Sequence, residues 1–174
     1  GNPKRHNSSA SNSSASSSSA GPNPDHELIQ ANLVQAIGDN DEDRVEEVLR
    51  IGASVNSSEI GDLPPLFLAV SRGRNRIAKL LLAREADVHQ RWGPSGITTL
   101  HLASLSGNVE LVAALAQSGA NVETPMNGGA TPAFIAALKG HLEVVRLLAE
   151  LGADVKTPMN NGFTPVFIAA FSGH

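Results

Sequence analysis

Residues 119–122 read Gly-Ala-Asn-Val, and residues 152–155 read Gly-Ala-Asp-Val. The same phrase stands at 52–55 as Gly-Ala-Ser-Val and, in weaker form, at 85–88 as Glu-Ala-Asp-Val. The steps from 52 to 85, 85 to 119 and 119 to 152 are 33, 34 and 33 residues. A second marker keeps this register: Ala69, Ala103, Ala136 and Ala169 are each followed four residues later by Gly73, Gly107, Gly140 and Gly173. Two independent markers in one period, over four copies, indicate stacked supersecondary units that bury their apolar faces against one another.

Each unit reads as two helices and a turn. In Thr131-Pro132 the Thr hydroxyl is suited to cap free backbone N–H groups, and a proline at the first helical position loses no hydrogen bond. Thr164-Pro165 repeats the device, and Thr98-Thr99 keeps the cap without the proline. The first helix of the fourth unit runs through Ala136 and stops near Gly140. In the second, Leu142, Val144, Val145, Leu147 and Leu148 fall largely on one face. Gly152 ends that helix in a left-handed conformation. Asn127-Gly128 and Asn161-Gly162 supply turn chemistry for a hairpin-like connection.

Thr-Pro-Ala-Phe-Ile-Ala-Ala at 131–137, Thr-Thr-Leu-His-Leu-Ala at 98–103 and the closing Gly-Ala-Asp-Val phrases resemble the ankyrin repeat. The resemblance covers Asp25 to His174, divided as 25–56, 57–90, 91–124, 125–157 and a partial unit, 158–174. It implies an all-α solenoid of stacked helix-turn-helix units with turns projecting at right angles. It also implies that the concave surface of first helices and turns binds another protein. Three departures matter. Arg44 and Glu47 stand in the first unit where later copies carry Ile77 with Leu80 or Val144 with Leu147, which fits a terminal repeat whose outer side meets water. Glu85 replaces the helix-ending glycine of the second unit, and Pro64 replaces its capping Thr. His174 matches His141, so a second helix for the last unit is expected in a longer array.

Residues 1–24 stand apart. Ser8 to Ser19 is almost all Ser with Asn and Ala, and Gly21-Pro22-Asn23-Pro24 follows. Such a segment cannot bury enough apolar surface to offset its chain entropy, so a disordered tail or linker is expected. The rest suits thin helical layers: of 174 residues 41% are hydrophobic and only 3% aromatic, so Leu, Val, Ile and Ala must fill the core. No apolar run approaches the roughly 18 residues of a membrane span, and no signal-like leader precedes the repeats. An intracellular, cytoplasmic setting is the expectation. A net charge of -4 makes no global case for nucleic acid or membrane binding.

Reactive chemistry is not visible. The chain has no cysteine, which excludes disulfides, thiolate nucleophiles and Cys-based metal sites. No histidine pair has the i, i+4 spacing of a helical metal site, and His101 sits where the family's imidazole makes structural hydrogen bonds at the turn. Asp39-Asn40-Asp41-Glu42-Asp43 lacks the central Gly and distant Glu of a calcium loop, and acids there suit a helix N-terminus. The scattered serines form no nucleophile elbow and the glycines no phosphate loop. The expectation is a module that is not an enzyme, with no catalytic residue, no metal site and no cofactor.

Aligned repeats expose candidate contact positions. Leu63, Ile97, Ala130 and Phe163 precede the helix-opening residue, and Ser71, Leu105, Leu138 and Phe171 lie two past the marker alanines. The resemblance turns both columns toward the concave face, where recurrent apolar residues form either a partner strip or packing against the adjacent turn. Trp92 lies in the turn Gln90-Arg91-Trp92-Gly93-Pro94, one residue longer than its counterparts. Beside Arg91 it is either a binding anchor or folded back over Pro94. Asp25–Asp62 holds ten acids and two arginines, whereas Arg72–Arg91 holds six basic residues and two acids. Arg76 and Lys79 map to the outer helix, and Arg72, Arg84 and Arg91 nearer the groove. The candidate partner-binding set is therefore Leu63, Arg72, Arg91, Trp92, Ile97, Leu105, Leu138, Phe163 and Phe171. Alternatives are a targeting arm of a larger enzyme or adaptor, and RNA or another phosphate ligand on the basic second unit. The last lacks the aromatic stacking platform expected for single strands.

Overall fold

The computed structural model describes residues 24–57 and 63–174; the Ser-rich segment expected at 1–24 lies outside the described residues except for Pro24. Among the described residues the helices come in pairs. They are α1 (Pro24–Asp39) with α2 (Glu42–Arg50), α3 (Pro65–Ser71) with α4 (Asn75–Ala83), α5 (Thr99–Leu105) with α6 (Val109–Gln117), and α7 (Pro132–Leu138) with α8 (Leu142–Glu150). The last, α9 (Pro165–Phe171), stands without a second helix. Each of α1, α3, α5 and α7 packs on the next odd-numbered helix, and each of α2, α4 and α6 on the next even-numbered one. The result is two layers, an A layer of first helices and a B layer of second helices. Among the described residues the stacked units expected from the period, and the all-α solenoid implied by the resemblance, are the architecture observed.

The caps act as their residue types dictate. Thr131 accepts from the Phe134 N–H at 3.3 Å and Thr164 from the Phe167 N–H at 3.2 Å, with Pro132 and Pro165 opening α7 and α9. Pro64 caps α3 without a side-chain bond. Leu33, Ile37, Ile77, Leu81, Leu100, Leu111, Leu115 and Leu148 are fully buried in one continuous cluster running through the stack. In the first unit Gln30 is also fully buried, because its amide donates to the Ser54 carbonyl at 3.0 Å and accepts from the Ser54 N–H at 2.9 Å. Each buried amide atom thus finds a backbone partner, which removes the desolvation penalty of an unpaired polar group.

Two local expectations need refinement. Met126 pairs with Ala130 at 2.8 Å, Met159 pairs with Phe163 at 2.8 Å, and the left-handed residues of these turns are Gly129 and Gly162, both at φ +86. Of the dipeptides Asn127-Gly128 and Asn161-Gly162, only the second therefore carries the left-handed position. The repeat-equivalent asparagines are Asn127 and Asn160, and both use their side chains to reach the preceding turn. Arg84, expected near the groove, instead shares a cleft with Asp43, Glu46, Glu47 and Arg50 of α2. It caps the end of α4, and the repeat stack sets that end beside the acidic face of the preceding B helix.

Candidate partner-binding surface

The A layer carries the two columns of candidate residues. Ser71, Leu105, Leu138 and Phe171 are the last residues of α3, α5, α7 and α9, so one side chain per repeat emerges at the same helix end. Leu105 is 40% exposed, Leu138 is half-buried and Phe171 is 79% exposed. The backbone beneath them is tied from repeat to repeat. The Arg74 guanidinium donates to the Gly38 carbonyl at 3.0 Å, and His141 Nε2 lies 3.1 Å from the Leu105 carbonyl, each spanning 36 residues. A Cβ on Gly107 would sit 2.6 Å from the His141 ring, so this glycine admits the imidazole across the repeat boundary.

The other column is less exposed. Leu63 is half-buried and packs on the core, Ile97 is half-buried, Ala130 is buried, and Phe163 is 42% exposed. Within the described residues burial differs between equivalent positions: Phe167 is 48% exposed, whereas Phe134, on the helix α7 against which α9 packs, is 4% exposed. Phe163, Phe167 and Phe171 form a stacked ladder with ring centroids 4.8 and 6.2 Å apart. An open apolar cleft of about 560 Å³ lies beside it, lined by Leu142, Val145, Val166 and Ala170 among others.

Trp92 is half-buried. Its backbone pairs twice with Ile97, at 2.7 and 3.0 Å, which closes the longer turn, and its ring lies 6.1 Å from that of Phe67 in the preceding repeat. Arg91 is exposed and donates to Asn127 Oδ1 at 3.1 Å. Asn127 Nδ2 donates to the Pro94 carbonyl at 2.6 Å, and Asn160 Nδ2 donates to the Asn127 carbonyl at 3.1 Å. Three successive turns are linked in this way. The structure thus gathers Arg91, Trp92 and Ile97 at one turn, and sets Leu105, Leu138 and Phe171 on adjacent A helices. Arg72 caps α3, with its guanidinium lying over Gly38.

The B layer differs in its charge pairing. Arg44 pairs with Asp39 at 3.8 Å, Arg76 with Glu42 at 3.7 Å, Lys79 with Glu110 at 2.7 Å and Arg146 with Glu143 at 3.7 Å. The hydrogen bond from Lys79 holds the Glu110 carboxyl below its ordinary range. Asp41, in the acidic run considered for calcium, caps α2 by accepting from the Arg44 N–H at 3.0 Å.

His101 is fully buried. Its Nδ1 accepts from the Thr98 N–H at 3.2 Å and lies 2.8 Å from Thr98 Oγ1, while Nε2 lies 3.1 Å from the Ala130 carbonyl. The accepting role of Nδ1 places the proton of the neutral ring on Nε2, aimed at the next repeat. Burial lowers its pKa to about 4, with a smaller lowering contribution from Arg91 and an opposing one from the Ala130 carbonyl.

Sequence reading passed over Phe167, Lys139 and the Asn127–Asn160 pair. The asparagines are 33 residues apart, and Lys139 is in register with Arg72, so the period itself was the available signal. Exposure of Phe167 had none, since it depends on what lies beyond the repeat.

A family model described as ankyrin repeats (three copies) matches residues 33–126 and 122–174. The chain is 39% identical over 75 residues to a probable palmitoyltransferase AKR2 of Saccharomyces uvarum, a match covering 42% of this chain and 10% of that protein. It is also 39% identical over 80 residues to the 2-5A-dependent ribonuclease of Homo sapiens, covering 45% of this chain and 11% of that protein. The matches thus span about a tenth of the length of these relatives.

Proposed function

We propose that this chain, which belongs to the ankyrin-repeat family, binds another protein along the concave surface of its A helices and turns. Repeats of this family generally mediate protein–protein contact. The observation that carries the reading here is the recurrence of Leu105, Leu138 and Phe171 at one repeat position, exposed at Leu105 and Phe171 and half-buried at Leu138. Apolar side chains held on a rigid layer lose little entropy on binding and gain from leaving water. In the turn before α5, Trp92, braced on Phe67, adds a large preset contact.

The test is affinity capture with the intact array, followed by comparison of variants at matched melting temperature. Truncating Leu138 or Trp92 to Ala should weaken the captured partner by about 1 kcal/mol or more. Arg76→Ala and Lys79→Ala, on the B layer, should leave affinity nearly unchanged. The opposite ranking moves the binding face to the B layer.

A second reading is favoured by the matches to two proteins named as a transferase and a nuclease, each far longer than the matched segment. In it the array is the recognition arm of a longer enzyme. Its binding would then direct where a covalently linked active site works, and grafting the array onto an unrelated reporter would relocalise that reporter to the captured partner.

A further inference from the structure

Among the described residues, most cations of the B layer stand beside carboxylates, whereas those at the ends of the A helices do not. On the B layer Arg44, Arg76, Lys79 and Arg146 each face a carboxylate within 4 Å, and Arg50 and Arg84 sit among Asp43, Glu46 and Glu47. Arg74 donates to a backbone carbonyl and Arg91 to an asparagine, both neutral partners. Among the described residues the exposed side chain of Lys156, in the turn after α8, has no hydrogen-bond or ion-pair partner, and neither do those of Arg72 and Lys139, which are also exposed. Arg72 and Lys139 occupy the same repeat position, three residues past Ala69 and Ala136, one step from the Leu105–Leu138–Phe171 column. The first-repeat member of their row is Asp39, which is itself occupied by Arg44 and Gln35. The Arg72 guanidinium lies over Gly38, where an added Cβ would be only 2.7 Å from it. The row therefore presents two uncompensated positive charges with apolar side chains between and beyond them.

We infer that the partner segment lying on this surface is acidic and apolar by turns. One carboxylate cluster meets Arg72, a second meets Lys139, and apolar side chains between them rest on Leu105 and Leu138. The inference rests on the A layer being the partner surface, and it adds the chemistry of the occupant. Two repeat steps at helix spacings of about 8–10 Å set the two charges roughly 16–20 Å apart. An extended segment covers that span in about six residues, and a helical one in about a dozen. Opposite charges placed so fix the direction in which the segment lies, while the apolar contacts supply the larger part of affinity.

The experiment uses the full chain and two fluorescent peptides of about a dozen residues, one with Glu clusters flanking a Leu-rich centre and one with Lys in place of Glu. Binding is read by anisotropy at low and high salt. The wild type should bind the Glu peptide in a saturable, salt-weakened manner and prefer it to the Lys peptide. The pair Arg72→Glu with Lys139→Glu should lower Glu-peptide affinity about tenfold and invert the preference, and Arg72→Gln with Lys139→Gln should fall between. Equal binding by wild type and reversed protein, a wild-type preference for Lys, or absence of saturable binding overturns the inference. So does a single-stranded RNA that displaces the Glu peptide and binds more tightly, since phosphates would then be the occupant. A captured partner that loses affinity with Leu138→Ala yet ignores both charge pairs refutes the charge assignment and leaves the surface standing. A captured partner indifferent to all of them refutes the surface.

Discussion

Replacing Glu85 by glycine should make the array more stable. Gly52, Gly119 and Gly152 end their B helices at φ +116, +94 and +96, and Glu85 is forced into the same turn at φ +61. Its N–H still closes the turn on the Leu82 carbonyl at 3.0 Å, so the backbone path is kept. A left-handed conformation costs a residue with a Cβ roughly 1–2 kcal/mol. Glycine returns about 0.5–1 kcal/mol of that through its greater freedom in the unfolded chain. The exposed Glu85 side chain has no partner among the described residues, so Glu85→Gly should gain about 0.5–1 kcal/mol. For a domain of this size that is roughly 1–4 °C in melting temperature. Urea denaturation followed by circular dichroism checks it, with the m-value required to stay constant. Gly119→Ala is the mirror control: an added Cβ there meets nothing within 4 Å, so a loss of about 1 kcal/mol would report backbone conformation alone. Unchanged or lower stability of Glu85→Gly would refute the reasoning, because the second repeat would then end its helix at no conformational cost.

The His101 ring is held at a pKa of about 4 against 6.5 when free, so it stays neutral in the fold while the unfolded chain gains a proton below pH 6.5. Its contribution is complete above that pH and is lost as pH falls toward 4, by about 3 kcal/mol at most. His101→Gln should flatten this part of the stability–pH curve, and an unchanged curve would assign the acid sensitivity elsewhere. Thr98→Ala removes a cap that also serves the His101 ring and should cost about 1–2 kcal/mol by urea denaturation, against little for Ser106→Ala. Gly73 and Gly107 have similar φ values, +67 and +70, but only at Gly107 would a Cβ strike a neighbouring ring. Gly107→Ala should therefore be the more destabilising, and His141→Ala in the same chain should remove the difference. In an NMR titration, Lys79→Ala should return the Glu110 carboxyl toward its ordinary range, because the Lys79 hydrogen bond is what lowers it.

The period revealed the fold because every repeat solves one problem with one set of residues. Thr98, Thr131 and Thr164 cap helices wherever they occur, and the alanine and glycine markers set layer spacing. What the period hid was neighbour-dependent. Trp92 folds toward Phe67 because the preceding repeat offers a ring there, and Phe134 is buried in a stack in which α5 and α9 both pack on its helix α7. Arg84 was misplaced for the same reason: its position in the repeat says which helix end it caps, but not that the preceding B helix is acidic. The unpaired state of Arg72 and Lys139 also had no local signature, since it depends on which carboxylates the stack brings near each cation.

The side-chain links from Asn127 to Pro94 and from Asn160 to Asn127 make the projecting turns a single rail. Loose fingers would each have to be frozen as a partner arrives, and collisions made before they had settled would be wasted. If the partner lies along these turns as proposed, a rail held in one shape makes encounter productive on first touch, and selection among partners falls to how long each stays. Cutting one tie, as with Asn127→Ala, would slow arrival as well as hasten departure, even for a partner that never touches the asparagine.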